Sequence, residues 1–363
     1  MSWSSKESLV RHEDPTGRVP SQCRPVFVFS GQGSQWTGMG RVLLELSTVF
    51  GMMLKACDVH VQRLMGWSLV EALTAENARL SDIEVSCPAI VSMEIALAAL
   101  WRSWGIEPAA VVGHSIGEVA AAYVAGVLSL EEAMRVICHQ GRTIGLLRGK
   151  GAMAMVGLPW DRAGEVLPEF SGRVWRVIHA SPEWTVLAAE PQVLEQVLVA
   201  LRSKGVPARR IDSEVAAHCP QVEPLREDLR GRLEGLRPRA ELLPIISTVT
   251  GGGLAGQRFN ADYWVRNLAE PVLFREAVDT LLDDGHDTFL EVSPHPLVKH
   301  SLESCLERAG RRGSLFVSMR RGKEPTRELL GTLRRLSPAP GSRHRQEESS
   351  SSESGEPPLA NVA

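Results

Sequence analysis

The stretch Ala109-Ala110-Val111-Val112-Gly113-His114-Ser115-Ile116-Gly117-Glu118 runs an apolar segment straight into a Gly-x-Ser-x-Gly turn. This order predicts a buried strand, a sharp bend and a helix starting beneath it. Glycine permits the backbone turn that lifts the serine hydroxyl clear of the sheet. Glu118 then falls in the first helical turn, where a carboxylate suits the helix dipole. Backbone N–H groups at such a helix start can hold a developing oxyanion. A plain glycine-rich connection has the same letters, so the rest of the chain must decide.

Upstream, Pro25-Val26-Phe27-Val28-Phe29-Ser30 reads as a second buried strand, followed by Gly31-Gln32-Gly33-Ser34-Gln35. Residues 86–104 carry Ile90, Met93, Ile95, Leu97 and Leu100 in a helical pattern, and Glu131 to Arg142 reads as a further helix. Strands alternating with helices predict an α/β class with a parallel sheet covered by helices. The pattern changes near Gly151. Short strands are expected at 152–158, 174–180, 185–190 and 208–212, with a helix at 191–204, which together predict a small ferredoxin-like α+β insert. A late strand, Asp287 to Ser293, returns to the main sheet. The expected organisation is a flexible leader at 1–24, a large α/β catalytic domain at 25–150 and 214–336, an insert at 151–213 and a disordered tail at 337–363, rich in Ser, Glu and Pro.

The 363 residues are 44% hydrophobic, enough for a sizeable core, and the net charge of −3 implies no bulk affinity for nucleic acid. The six cysteines form no C-x-x-C pair, no zinc pattern and no disulfide framework, which fits a reducing, cytoplasmic setting. The N-terminus lacks the apolar core of a signal peptide, and the apolar 109–128 region is interrupted by His114 and Glu118, so no membrane span is expected. Met1 and the polar tail fit a discrete enzyme, expected to be a monomer.

A serine hydroxyl is a poor nucleophile unless a base lies within hydrogen-bond reach. Of ten histidines, His218 is the best candidate, because it follows the last strand of the insert where the chain re-enters the large domain. His114 adjoins Ser115 but should point elsewhere and serve packing.

Six ordered blocks resemble the acyltransferase domains of modular polyketide synthases and the related malonyl-CoA:acyl-carrier-protein transacylases. They are Val26 to Trp36, Gly113 to Glu118, Ala217 to Pro224, Ser247 to Gly251, Asp262 to Leu268 and Glu291 to Pro296. The resemblance implies an α/β-hydrolase-like large domain, with Ser115 as nucleophile and His218 as base. It implies an oxyanion hole from the Gln32 and Ile116 N–H groups, and no bound cofactor or metal. It also implies a backbone carbonyl orienting the histidine, for which the Ser293–Pro296 loop is the expected supplier. Substrates would be acyl-CoA or acyl-phosphopantetheine, and the partner an acyl carrier protein. A lipase would need an acid between Ser and His and an HGGG-type loop, and no such loop is found.

The chain departs from the family pattern in three places. Extender-loading members carry an Arg 25 residues after the serine to fork onto a substrate carboxylate, and here that position is Gln140. Val215 and Ala217 replace larger or more polar residues before His218, predicting a roomier, more apolar pocket. Ser30 stands where the family usually has Pro. The expectation is transfer of a non-carboxylated acyl group. The alternatives are an acyl-carrier-protein hydrolase of the same fold, and ordinary malonyl loading with Arg142 as the carboxylate partner. Arg148, Lys150, Arg320 and Arg321 are the basic residues expected to meet an acidic carrier.

Overall fold

The computed structural model describes residues 24–76, 79–165 and 168–337. The expectations for a flexible leader and a disordered tail therefore fall, but for one residue each, outside the described residues. Among the described residues, ten strands form two sheets: β1 (Val26–Phe29), β2 (Val111–Gly113), β3 (Ala152–Val156), β4 (Val174–His179), β5 (Thr185–Ala189), β6 (Ala208–Arg210), β7 (Ile245–Ser247), β8 (Gly252–Gly253), β9 (Thr288–Glu291) and β10 (Ser314–Val317).

The first sheet has the order β10-β9-β1-β2-β7-β8, and every pair is parallel except β7 with β8. Val26 to Phe29 are fully buried, which is what a continuous apolar run at the centre of a parallel sheet requires when helices cover both faces. The helix Ile83–Ser103 is among those covers. By length and composition it could cross a membrane, yet 89% of its apolar window is packed inside the protein. It lies against the helices Thr48–Met65 and Leu130–Gly145. The latter begins with a capping box: the Glu132 N–H donates to Ser129 Oγ (3.2 Å), and the Ser129 N–H donates to Glu132 Oε2 (2.8 Å).

The second sheet has the antiparallel order β4-β5-β3-β6, with the helix Pro191–Ser203 connecting β5 to β6. Its strands come from the segment between β2 and β7. The two chain crossings into this segment are bound together, since the Gly149 N–H donates to Glu214 O (2.7 Å) and Gln221 Nε2 donates to Lys150 O (3.0 Å). At the opposite end of the small sheet, the His179 N–H donates to Val272 O (2.9 Å) and His179 Nδ1 meets Glu276 Oε1 at 2.6 Å.

The parallel strands deliver their C-terminal ends to one edge, where a sheet of this kind places ligands. The turn after β2 depends on two glycines. A Cβ on Gly113 would overlap the Glu118 main chain, and one on Gly117 would overlap the carbonyls of Phe29 and Ser30. The helix Gly117–Val124 can therefore start directly under β1 and β2 only with glycine at both places. Gly113→Ala should cost about 3 kcal/mol of stability through this overlap. Gly231→Ala, in an open helical position with no neighbour to meet, should instead gain about 0.5–1 kcal/mol. Urea unfolding of the two variants beside the wild type checks both signs.

Candidate active site

Ser115 follows β2 and precedes the helix Gly117–Val124, with its backbone in the left-handed region at φ 55°. His218 sits at φ 62°, and these are the only non-glycine residues at positive φ among the described residues. Such a conformation costs about 1–2 kcal/mol per residue, so the surroundings must impose it. Ser115 Oγ and His218 Nε2 are 2.8 Å apart. On the other side of the ring, His218 Nδ1 lies 3.0 Å from Glu270 O. With Nδ1–H donating to that carbonyl, Nε2 carries the lone pair that faces the serine.

The orienting carbonyl differs from the expectation. The Ser293–Pro296 loop is engaged elsewhere, with Ser293 Oγ donating to His295 O (2.9 Å). Glu270 instead caps the C-terminus of the helix Ala261–Ala269, where the last carbonyls have no helical partner. That helix is fixed at its start by Asn260, whose Oδ1 accepts from the Tyr263 N–H (3.0 Å). His218 is also held by its own N–H, which donates to Leu268 O (2.9 Å).

A buried polar network lies under the serine. Glu118 accepts from the Thr248 N–H, from Tyr263 Oη (2.8 Å) and from Asn267 Nδ2 (2.7 Å). Asn267 Nδ2 also donates to Ser115 O (3.2 Å). Burial pushes the Glu118 carboxyl up to about 7, while its hydrogen bonds oppose that rise. Asn267 and Glu270 were not singled out from the sequence. Asn267 lay within a recognised block, but the Glu270 carbonyl is backbone and leaves no side-chain signature.

The Gln32 and Ile116 N–H groups make no hydrogen bond among the described residues. Gln32 follows the end of β1, and Ile116 is the N-terminal cap of the helix Gly117–Val124. Gln140 is fully buried rather than open to a pocket. Its Nε2 donates to Trp264 O (3.0 Å) and Asn267 Oδ1 (3.0 Å), so it reaches the serine through Asn267. Val215 is buried beside Ala216, and Ala217 is partly exposed next to His218. The His114 ring packs edge-on against Phe274 at 5.4 Å.

The four basic residues expected at a carrier surface are not one free patch. Arg148 pairs with Asp82 (3.1 Å), Arg320 pairs with Glu328, and Arg321 donates to Gln35 O (2.7 Å). Lys150 lines a groove of about 760 Å³ with Leu146, Glu190 and Gln221, and none of the candidate site residues lines it.

The sequence profile of the acyl transferase domain matches residues 26–341. The chain belongs to the acyl transferase domain family. The spectinabilin polyketide synthase system protein NorA' of Streptomyces orinoci is 41% identical over 315 residues, which cover 86% of this chain and 8% of that protein. The polyketide synthase GfsE of Streptomyces halstedii is 42% identical over 330 residues, 88% of this chain and 9% of that protein. This acyl transferase chain thus spans under a tenth of the length of either relative. Among solved structures, the acyltransferase domain from module 8 of the salinomycin polyketide synthase superposes with a TM-score of 0.84 at 38% identity, covering 87% of this chain and 75% of that one. A loading acyltransferase from the avermectin modular polyketide synthase gives 0.81 at 35% identity, covering 86% and 99%. The large parallel-sheet domain with a small ferredoxin-like subdomain is the architecture of this family, and the reaction class is acyl transfer.

Two measurements test the site. Ser115→Gly should be about 1 kcal/mol more stable than Ser115→Ala, because glycine adopts the left-handed backbone without strain. Urea unfolding checks it. Burial pushes the His218 ring down to about 4, against hydrogen bonds that raise it. A histidine that acts as base must be neutral, and a lowered pKa keeps it neutral further into acid. The rate of Ser115 acylation should therefore hold down to about pH 5 and fall only near 4, as read from a pH series of acylation rates. A fall centred near 6.5 contradicts this.

Proposed function

We propose that Ser115 and His218 carry an acyl group from one thioester to another thiol through an acyl-Ser115 intermediate. The 2.8 Å contact between Ser115 Oγ and His218 Nε2, with Nδ1 held by the Glu270 carbonyl, carries this reading. His218 takes the Ser115 proton as Oγ attacks the thioester carbonyl. The oxyanion faces the Gln32 and Ile116 N–H groups. The C–S bond breaks, and the leaving thiolate takes the proton from His218. An incoming thiol then gives its proton to His218 and attacks the ester, and Ser115 recovers its proton as the new thioester leaves. Asn267 fixes the serine main chain throughout.

The donor is an acyl-CoA or acyl-phosphopantetheine, and the acceptor is the phosphopantetheine thiol of an acyl carrier protein. The setting is polyketide assembly in the cytoplasm, in line with the names of the relatives. The acyl group is non-carboxylated. A substrate carboxylate buried without a cation costs several kcal/mol, roughly. Gln140 brings no charge and has both amide hydrogens engaged. Arg266 is tied to Glu270 at 2.9 Å.

Intact-mass analysis after incubation with competing malonyl-CoA and monoacyl-CoAs tests the proposal. Wild type should take the monoacyl group, Ser115→Ala should take none, and His218→Ala should be slower by about 10³-fold or more. Gln140→Arg should shift preference toward malonyl groups by about tenfold or more, the worth of one charge-assisted hydrogen bond. A wild type that prefers malonyl-CoA returns the chain to extender loading. Loss of the acyl group to water in the presence of carrier thiol makes it a hydrolase.

A further inference from the structure

Ser30 ends the strand β1 and leads into the turn that carries Gln32. It is fully buried, and its Oγ donates to Glu291 Oε1 at 2.6 Å. The same Glu291 oxygen accepts from the Leu297 N–H (2.6 Å) and the Val298 N–H (3.1 Å). Glu291 ends β9, the parallel neighbour of β1, so one carboxylate oxygen gathers three donors from both flanks of the Gln32 turn. Leu297 is itself a wall of that turn. Its Cδ1 lies 3.4 Å from where a Cβ on Gly33 would stand. Further along, Trp36 Nε1 donates to Pro294 O (3.0 Å). The 30–36 segment is thus seated on the loop after β9, with the Glu291 carboxyl at the centre of the seat.

A second carboxyl meets the same place. Glu94, from the helix Ile83–Ser103, is fully buried, and neither of its oxygens has a hydrogen-bond partner among the described residues. It lies by the Ser30 main chain and the Glu291 carboxyl, and burial holds it well above the usual carboxylate range. Burial raises the Glu291 carboxyl as well, while the Ser30 hydroxyl and the Leu297 and Val298 N–H groups favour its charged form. Where the family pattern has Pro, neither an O–H nor an N–H is available at this position.

We propose that Glu291 is a positioning residue for acyl transfer, which fixes the Gln32 N–H toward the oxyanion by holding Ser30 on one flank of the turn and Leu297 with Val298 on the other. This rests on the reading of Gln32 as an oxyanion donor. Its effect belongs in the rate of the chemical step, because the oxyanion forms only as Ser115 attacks.

The test uses Ser30→Ala, the mild change, and Glu291→Gln. Single-turnover acylation of Ser115 by a monoacyl-CoA, followed by intact mass, should slow about tenfold in Ser30→Ala and about 10²-fold in Glu291→Gln, with the half-saturating concentration unchanged. Leu302→Ala, in the core of the helix Lys299–Arg308, serves as a variant of lowered stability that should keep the wild-type rate constant. Amide hydrogen exchange reads the same device without activity. Peptides covering Gly31–Trp36 should exchange faster in both Ser30→Ala and Glu291→Gln, and those covering Gly113–Glu118 should not. Wild-type exchange at 31–36 in Glu291→Gln overturns the proposal. So does a loss confined to half-saturation, or one matched by Leu302→Ala. If wild type takes no acyl group on Ser115, the proposed function fails, and the exchange result alone decides whether Glu291 positions the turn.

Discussion

Glu118 sits beneath the serine turn and binds it to two later segments of the chain. Its oxygens hold the Thr248 N–H at the end of β7, the Tyr263 hydroxyl and the Asn267 amide. Asn267 in turn holds the Ser115 carbonyl, and the helix that carries Tyr263 and Asn267 ends at the carbonyl that orients His218. The serine and the histidine, 103 positions apart, are thereby placed by the same buried carboxyl. A buried acid with every neighbour satisfied rigidifies its surroundings, whereas a partly satisfied one would loosen them. The low-dielectric surroundings that raise the Glu118 pKa also make these bonds hard to break one at a time.

That rigidity explains how two strained residues persist. Ser115 and His218 each occupy backbone space that a side chain disfavours, and neither would remain there in an isolated peptide. Ser115 is forced by the close approach of Gly113 to the Glu118 main chain and of Gly117 to the carbonyls of Phe29 and Ser30. His218 is forced by a main-chain bond to Leu268 and a ring bond to Glu270, both at the end of one helix. The strain is local, and the helices and sheet that over-determine it contribute far more than it costs.

Much of this was legible in the letters. Val26 to Phe29 and Val111 to Val112 are apolar runs too dense for a surface strand, and the glycines after them mark where helix and sheet meet. The alternation of β3, β5 and the helix Pro191–Ser203 gave the small sheet. The short strands Ile245–Ser247 and Ser314–Val317 show no period and were missed. Gln140 could be recognised as an uncharged residue at a telling position, but not as one sealed beneath the serine by Trp264 and Asn267. The basic residues Arg148 and Arg320 look free in sequence because their acidic partners, Asp82 and Glu328, come from other elements or another turn. Backbone carbonyls such as that of Glu270 act without regard to their side chain.

The small sheet is fastened at both of its ends, by the paired crossings at Gly149 and Glu214 and by His179 against Val272 and Glu276. A body held at two opposite ends is restrained from swinging over the serine as a lid. For the acyl-Ser115 ester proposed above, protection from water then rests in part on the cargo: an acyl chain that fills the site keeps solvent out, and one too short leaves a gap through which water can enter. On that proposal, the balance between transfer and hydrolysis becomes in part a matter of fit, set by the dimensions of the substrate.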